Sequence, residues 1–477
     1  MKRIITITLT LILTIPVLFL TSCSKKDKTT KDKTTKTITT DENHVHEFGD
    51  WKIVSSSTCT EHGTKKRTCA CGKVEYEDLP LLDHVYEDDK CVNCGEERLS
   101  EGFDIEFFEP GSKYYIKGYN GTSTSVRITR AYDDGEHGYH PIDIQLGKDS
   151  SDNLISCLKD ANIKTLKVAE GFEEIPSHLF YGITNLEELI LPDSLRTISE
   201  AAFKGCSKLE TVIFNEGLLT IGFAAFSDCN IKTIDLPYSL TTISLQAFSN
   251  NVNLKEVNFN SNLETVEENA FSNTAIERLV LPKQIKTFKY QLNLPKLESI
   301  TIDGTGACYH AENNCLIFDE DNSIVLAAKN ATIPSSAESI DVYAFAYHDY
   351  SSTTTFVIPS SVTYISYKAF ANTKFNKLSM SNVTYLERSA FEGATFTDTS
   401  FVLELPSTLG VIESNCFDSV TINGVVIPIT VTKLGEKIFI NANISSVTIH
   451  DTTTKSEDCD IDWSEGLSPS VINLIED

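Results

Sequence analysis

The chain has 477 residues, of which 41% are hydrophobic and 23% charged. That globular balance excludes wholesale disorder and allows two to four domains at ~100–200 residues each. The formal charge is −26, and because eight Lys or Arg face only two Asp in the first 36 residues, the rest carries roughly −32. A body this acidic repels polyphosphate, so nucleic acid is excluded as an expected partner.

Lys2 and Arg3 precede an apolar run from Ile4 to Leu20, the charged and hydrophobic regions of an export signal. The run falls short of the ~20 apolar residues of a permanent span. Leu20-Thr21-Ser22-Cys23 closes it and resembles the bacterial lipobox, in which small residues let a signal peptidase reach the bond before an obligatory Cys. The resemblance implies a signal peptide over 1–22 and a mature chain that begins at Cys23, its thiol converted to a lipid thioether. Two or more acyl chains hold a protein stably on a membrane, which places this one on the extracellular face of the bacterial cell membrane. Residues 23–43 form a Lys/Thr tract without apolar periodicity, a flexible tether.

Residues 44–98 hold five Cys and four His, including Cys59, His62 and His84. Cys69-Ala70-Cys71-Gly72 and Cys91-Val92-Asn93-Cys94-Gly95 lie nineteen residues apart, inside the spacer range of a four-cysteine zinc site. Two pairs of thiolates complete a tetrahedron, and a Gly after each pair permits a knuckle turn. The expected metal ligands are therefore Cys69, Cys71, Cys91 and Cys94. The first pair departs from Cys-x-x-Cys, so Cys59 or His84 stands as a substitute ligand, and one or two disulfides are the competing reading. The layout from Trp51 to Gly95 resembles a small zinc-ribbon-like module of bacterial surface proteins. That resemblance implies structural zinc and no activity.

Residues 99–160 alternate as strands (Phe103–Phe107, Tyr114–Tyr119, Val126–Ile128, Ile142–Ile144) and are expected to act as an N-terminal cap that shields the first coil of a repeat array. From Ile163 the chain repeats itself. Leu186-x-x-Leu189-x-Leu191-Pro192, Leu195-x-x-Ile198 and Ala202-Phe203 make one unit, and Leu209-x-x-Val212-x-Phe214, Leu218-x-x-Ile221 and Ala225-Phe226 the next. The anchors Phe180, Phe203, Phe226, Phe248 and Phe271 fall 22 or 23 residues apart. Such a period is too short for paired helices and fits a leucine-rich repeat. Each unit predicts one short parallel strand with period-2 residues turned inward, then a return path with Ala-Phe on a tight or helical turn. Pro after the strand ends its ladder.

This consensus closely resembles the BspA-like class of leucine-rich repeats of bacterial surface proteins, over roughly Ile163 to His450. The fold class it implies is a β-rich, curved solenoid with one strand per coil of 21–26 residues and short helical turns. Repeats occupy 161–303 and 331–450, separated by a β-hairpin insertion over 304–330 with an acidic turn at Asp319–Asn322, and 451–477 covers the far end. The family implies binding of a protein or host surface and has no catalytic residues to carry over.

The sequence contains no GxSxG, HExxH, GxxxxGK[ST] or GxGxxG, so no enzyme is expected. Asp458-x-Asp460-x-Asp462 lacks the Gly of a calcium loop, and His137-Gly138-Tyr139-His140 reads as a polar loop. Cys206 and Cys229 share a repeat position with Asn251, Thr274, Thr373 and Ala394, which marks packing rather than redox chemistry. Cys308 and Cys315 flank the hairpin, where a disulfide is open. The working surface expected is the strand face, whose outward positions are Glu188, Ile190, Thr211, Ile213, Thr233, Asp235, Glu256, Asn258, Arg278 and Val280. The reading favoured is a binding or adhesion protein that holds a macromolecule on this face, the alternative is an envelope spacer without a specific ligand, and a surface hydrolase is the least favoured third.

Overall fold

A computed structural model describes residues 47–475, except 60–61, 71, 81, 83–84, 88–89, 96–97, 109–112, 133–139, 145, 149–153, 292, 307 and 451–463. The lipobox Cys23, Cys71, His84, His137 and the Asp458–Asp462 run lie outside the described residues. None of the described helices is long and apolar enough to cross a membrane.

The chain divides into two compact units. The first, through Ser56 and again over Gly63–Pro80, is an antiparallel meander of Lys52–Ser55, Gly63–Thr68 and Val74–Leu79. It has little apolar core, and cation–aromatic contacts take its place. Arg67 lies 4.8 Å from the Phe48 ring and 4.7 Å from Trp51, and pairs with Glu75 at 2.8 Å. Its last turn is the expected knuckle, in which Gly72 at φ 90° donates to the Cys69 carbonyl.

The second unit contains a β-solenoid of about thirteen turns with parallel strands and almost no helix. Each strand of the face predicted from sequence pairs in parallel with its neighbour. Ser125–Ile128, Thr165–Val168, Glu188–Ile190 and Thr211–Ile213 form one such sheet, and the cap thus supplies its first rung. The alternation puts Leu166 and Leu189 in the core, fully buried. Pro192, Pro237, Pro282, Pro359 and Pro406 then each open a tight turn, their carbonyls accepting the N–H of the apolar residue three positions on.

The return path holds a second strand that the repeat consensus does not announce. Thr197–Ile198, Thr220–Ile221, Thr242–Ile243, Thr265–Val266 and Thr287–Phe288 stack in parallel register. In the second half of the array a third short strand recurs, as in Asp349–Tyr350, Lys374–Phe375 and Thr395–Phe396.

The Ala-Phe corner is a turn and not a helix, and hydrogen bonding explains why. Alternate N–H groups leave their own coil. Ala201, Phe203 and Gly205 donate to Phe223, Ala225 and Ser227 of the next coil, while Ala202 and Lys204 donate within their own. Two left-handed residues four apart make the alternation possible, at φ 50° in Ala201 and 75° in Gly205. The same pair recurs at Gln246 and Asn250, Asn269 and Asn273, and Asn415 and Ser419. Left-handed backbone cannot propagate a right-handed helix.

The phenylalanines stack in file. Phe180, Phe203, Phe226, Phe248 and Phe271 lie 5.1 to 5.7 Å apart, centroid to centroid, and Phe345, Phe370, Phe391, Phe417 and Phe439 form a second file at 5.2 to 5.4 Å. Gln291 ends the first, its side-chain oxygen accepting the Phe271 N–H where a backbone carbonyl served before. Between the files stands the hairpin, Cys315–Phe318 against Ser323–Ala327, extended by Tyr309–Glu312. It is a septum more than an insertion. Leu316 and Leu326 face the first core, and Cys315, Ile317 and Ile324 the second. A strand buried on both faces reads as a continuous apolar run, as this one does.

Candidate strand face and cysteine cluster

Outward residues of the strand face stand in two columns fixed by register. Glu188 lies beside Thr211 and Ile190 beside Ile213, Thr233 beside Glu256 and Asp235 beside Asn258, Arg278 beside Ser299 and Val280 beside Thr301. Glu188 and Ile190 are half-buried, and the other eight positions singled out from sequence are exposed. Ile213 and Val280 are each 52% exposed, the β-branched component of a ribbon otherwise made of small polar and charged groups. Asn258 donates to Asp235 at 2.7 Å. At the position before the strand, Lys164–Glu187, Lys232–Glu210 and Lys329–Glu298 pair between coils. The face is therefore a regular lattice that presents rows of side chains.

A second cluster lies within the larger unit, where Tyr86–Glu87 pairs with Lys90–Cys91. The Sγ atoms of Cys59, Cys91 and Cys94 all lie within 4.8 Å of one another, Cys59 and Cys91 at 3.7 Å. Gly95, at φ 77°, donates to the Cys91 carbonyl at 2.7 Å and closes the knuckle. Burial, followed by hydrogen bonds to Cys94 and Cys91, pushes the Cys59 thiol up to about 12. Burial also resists the Cys91 thiolate, yet the backbone N–H groups of Cys94 and Asn93 and the neighbouring thiols outweigh it and hold Cys91 down at about 6. A thiolate-favouring Cys91 beside Cys59 and Cys94 is a donor set able to take a soft metal ion.

Of the four ligands expected from sequence, Cys91 and Cys94 belong to this cluster and the substitute Cys59 completes it. Cys69 forms the knuckle of the other compact unit, and Cys71 lies outside the described residues. The signal for Cys59 is that a metal site needs a donor on a third segment when one pair departs from Cys-x-x-Cys.

Among the described residues, the cysteines of the repeat coils are packing groups. Cys206 and Cys229 donate to the carbonyls of Phe180 and Phe203 in the preceding coil at 3.3 and 3.2 Å. Asn251 and Thr373 do the same to Phe226 and Phe345, each at 2.8 Å. In these four coils the position supplies a small donor for a buried carbonyl of the preceding coil, whereas Thr274 donates to Phe271 of its own coil and Ala394 only packs. Burial raises the thiols of Cys229, Cys315 and Cys416, which leaves them inert. Cys308 and Cys315 carry free thiols. The acidic turn is used internally, since Asp319 pairs with His310 and Asp321 accepts the Ser323 N–H. His140 packs on the Phe107 ring at 5.2 Å.

The family model for the BspA type leucine-rich repeat region matches in six copies, over residues 173–293, 324–445 and 395–459, together more than half of the chain. No curated protein matches. Among solved structures, a leucine-rich cell-surface protein of Faecalibacterium prausnitzii is 21% identical with a TM-score of 0.55, over 77% of this chain and 98% of that one, which shows the fold. The pneumococcal vaccine antigen PcpA is 16% identical with a TM-score of 0.44, over 77% and 81%. A leucine-rich repeat protein of Bacteroides ovatus is 15% identical with a TM-score of 0.40, over 79% and 99%.

Proposed function

Because the chain belongs to the BspA-type leucine-rich repeat family, we propose that it is a bacterial cell-surface protein, held on the membrane through lipidated Cys23, whose strand face binds a protein or other macromolecule without catalysis. The observation that carries this reading is the ribbon itself. Outward side chains, most of them exposed, stand in register within three pairs of successive coils, a geometry suited to an extended partner. The inert buried thiols and the absence of a nucleophile motif favour holding over turnover. The Faecalibacterium neighbour is a cell-surface protein, which agrees with export here. A capture screen with the full ectodomain tests the reading. Wild type is expected to retain a defined ligand, and an Ile213→Ser, Arg278→Ala, Val280→Ser variant to lose it while keeping its circular dichroism. Retention by the variant overturns the strand face as the binding site, and no capture from host or bacterial extracts overturns binding itself in favour of a spacer.

The cysteine cluster completes the proposal as a structural zinc site. Zn–S bonds of ~2.3 Å set tetrahedral S···S edges of about 3.8 Å, which the 3.7 Å between Cys59 and Cys91 matches. Bound zinc would supply cross-linking energy to a segment with a small core of its own. Elemental analysis of the full chain is expected to find one zinc, lost in Cys91→Ser and Cys94→Ser. Metal-free protein with oxidised thiols would replace zinc by a disulfide.

A further inference from the structure

Repetition supplies an internal control for every surface position, and one set of positions departs from it. On the outward side of the return strand the first half places Thr197, Thr220, Thr242, Thr265 and Thr287 side by side. The same column in the second half reads Ser339, Tyr364, Tyr385, Val411 and Lys433. Five consecutive coils are built with threonine there, so the scaffold does not require tyrosine. The Tyr364 and Tyr385 rings stack at 5.0 Å.

Backbone strain marks the same face independently. The two left-handed corner positions hold small or amide residues in most coils, such as Ala201 and Gly205 or Asn269 and Asn273, but one coil fills both with tyrosine, Tyr343 at φ 58° and Tyr347 at φ 64°. A bulky residue there costs about 1–2 kcal/mol, and such strain persists where it serves a site. Tyr347 is 41% exposed. Tyr343 lies 5.4 Å from Tyr290 and 5.8 Å from Tyr367, so these three rings form one patch, and Glu387, beside both Tyr367 and Tyr364, joins it to the Tyr364–Tyr385 stack.

Carboxylates line this patch. Glu268 accepts from the Tyr290 hydroxyl at 3.2 Å and Glu413 from Tyr385 at 2.6 Å, while Glu387 accepts the Tyr367 N–H at 2.6 Å. Their field is visible in the phenols: a hydrogen bond to Glu413, then burial, pushes Tyr385 up to about 12, and burial followed by Glu387 and Glu413 raises Tyr364. A cation already sits in the patch, with Lys368 Nζ 5.5 Å from the Tyr367 centroid and 3.1 Å from Glu392. Lys433 pairs with Glu413 at 2.7 Å, and with exposed Lys289 and Arg388 on the same coils it keeps the net charge modest. Ring faces, and not bulk charge alone, must therefore supply selectivity.

We propose that the tyrosine face of the second half is a second docking surface, distinct from the strand ribbon, and that its partner is a protein segment rich in Arg or Lys. Cations pack over the phenol rings as Lys368 does and pair with the surrounding carboxylates, the combination in which cation–π contacts are strongest. Tyrosine also supplies rigid contact area at low entropic cost and is enriched at interface hot spots.

The test uses the full chain and labelled octapeptides alternating Gly with Arg, Gln or Glu, read by fluorescence anisotropy. The Arg peptide is expected to bind, the Gln and Glu peptides not to. Tyr364→Thr/Tyr385→Thr installs the residue that five coils already carry, and Tyr343→Asn/Tyr347→Asn relieves the backbone, so both variants are expected to fold. Neither changes net charge. Together they are expected to weaken the Arg peptide about tenfold, while Glu256→Gln on the strand ribbon leaves it unchanged. Equal affinity in the tyrosine variant would mean attraction by net charge and overturn the proposal. So would no preference for Arg over Gln.

Discussion

The two halves of the array share one coil plan and differ in how they use their surface. Before the septum the return strand is a threonine ladder and most corners are Ala, Asn or Gly, with His178, Asp228 and Gln246 as the departures. After it the coils gain a third short strand, and tyrosine replaces threonine at matched positions. Both halves bury a phenylalanine file of nearly equal spacing, so this file is kept where the exterior diverges. A repeat protein can vary one half of its surface because each coil is stabilised by its neighbours and by little beyond them. The septum makes the separation sharper, since its two strands give alternate side chains to the two cores.

The largest expected effect tests that separation. Phe226→Ala and Phe417→Ala each remove a fully buried ring from mid-file and are expected to cost about 3–5 kcal/mol. Hydrogen exchange read by mass spectrometry should show Phe226→Ala loosening coils before the septum and Phe417→Ala coils after it. If either substitution lowers protection equally on both sides, the halves are one cooperative unit and the comparison fails.

A smaller effect separates the halves by pH. His348, in the second half, is buried and donates through Nε2 to the Ala327 carbonyl on the septum, at 3.0 Å. Burial lowers its pKa to about 4, against the backbone bond that raises it. The unfolded chain takes up the proton near pH 6.5 and the folded chain only near 4. Stability is therefore complete above pH 6.5 and falls as the pH drops toward 4, by up to about 3 kcal/mol. Urea midpoints at pH 7 and pH 5 should differ less in His348→Gln, which keeps a donor for Ala327 without the charge. An unchanged difference would place the acid sensitivity elsewhere.

The interior was legible because burial writes itself into residue type at a fixed period. The Phe anchors, the inward Leu and Ile and the Pro turns all stand where the spacing puts them. The left-handed corners were harder to read, since Ala201, Gln246, Tyr343 and Lys368 carry no common side chain. Their φ is imposed by alternate N–H groups reaching the next coil. The hairpin showed its strands and acidic turn, but its partition of two cores depends on which neighbours meet each face. In the cysteine region the knuckle at Cys91–Gly95 was legible from spacing. The role of Cys59 depended on a chain path that local pattern does not encode.

The smallest effect bears on the tyrosines directly. Gln246 occupies a left-handed corner in the first half, half-buried. Gln246→Gly removes a penalty of ~1–2 kcal/mol and adds unfolded-state entropy of about 0.5–1 kcal/mol, so a net gain of about 0.5 kcal/mol is expected. Tyr343→Gly relieves the same strain but also deletes the contacts with Tyr290 and Tyr367, each worth ~0.5–1.5 kcal/mol, so its net effect should be zero or a loss. Paired thermal melts measure both. A gain in Tyr343→Gly equal to that in Gln246→Gly would mean the ring adds nothing to the fold and is held at that corner only for what it touches outside. A loss in Gln246→Gly would instead mean the corners are unstrained, and the strain argument for the second half would go with it.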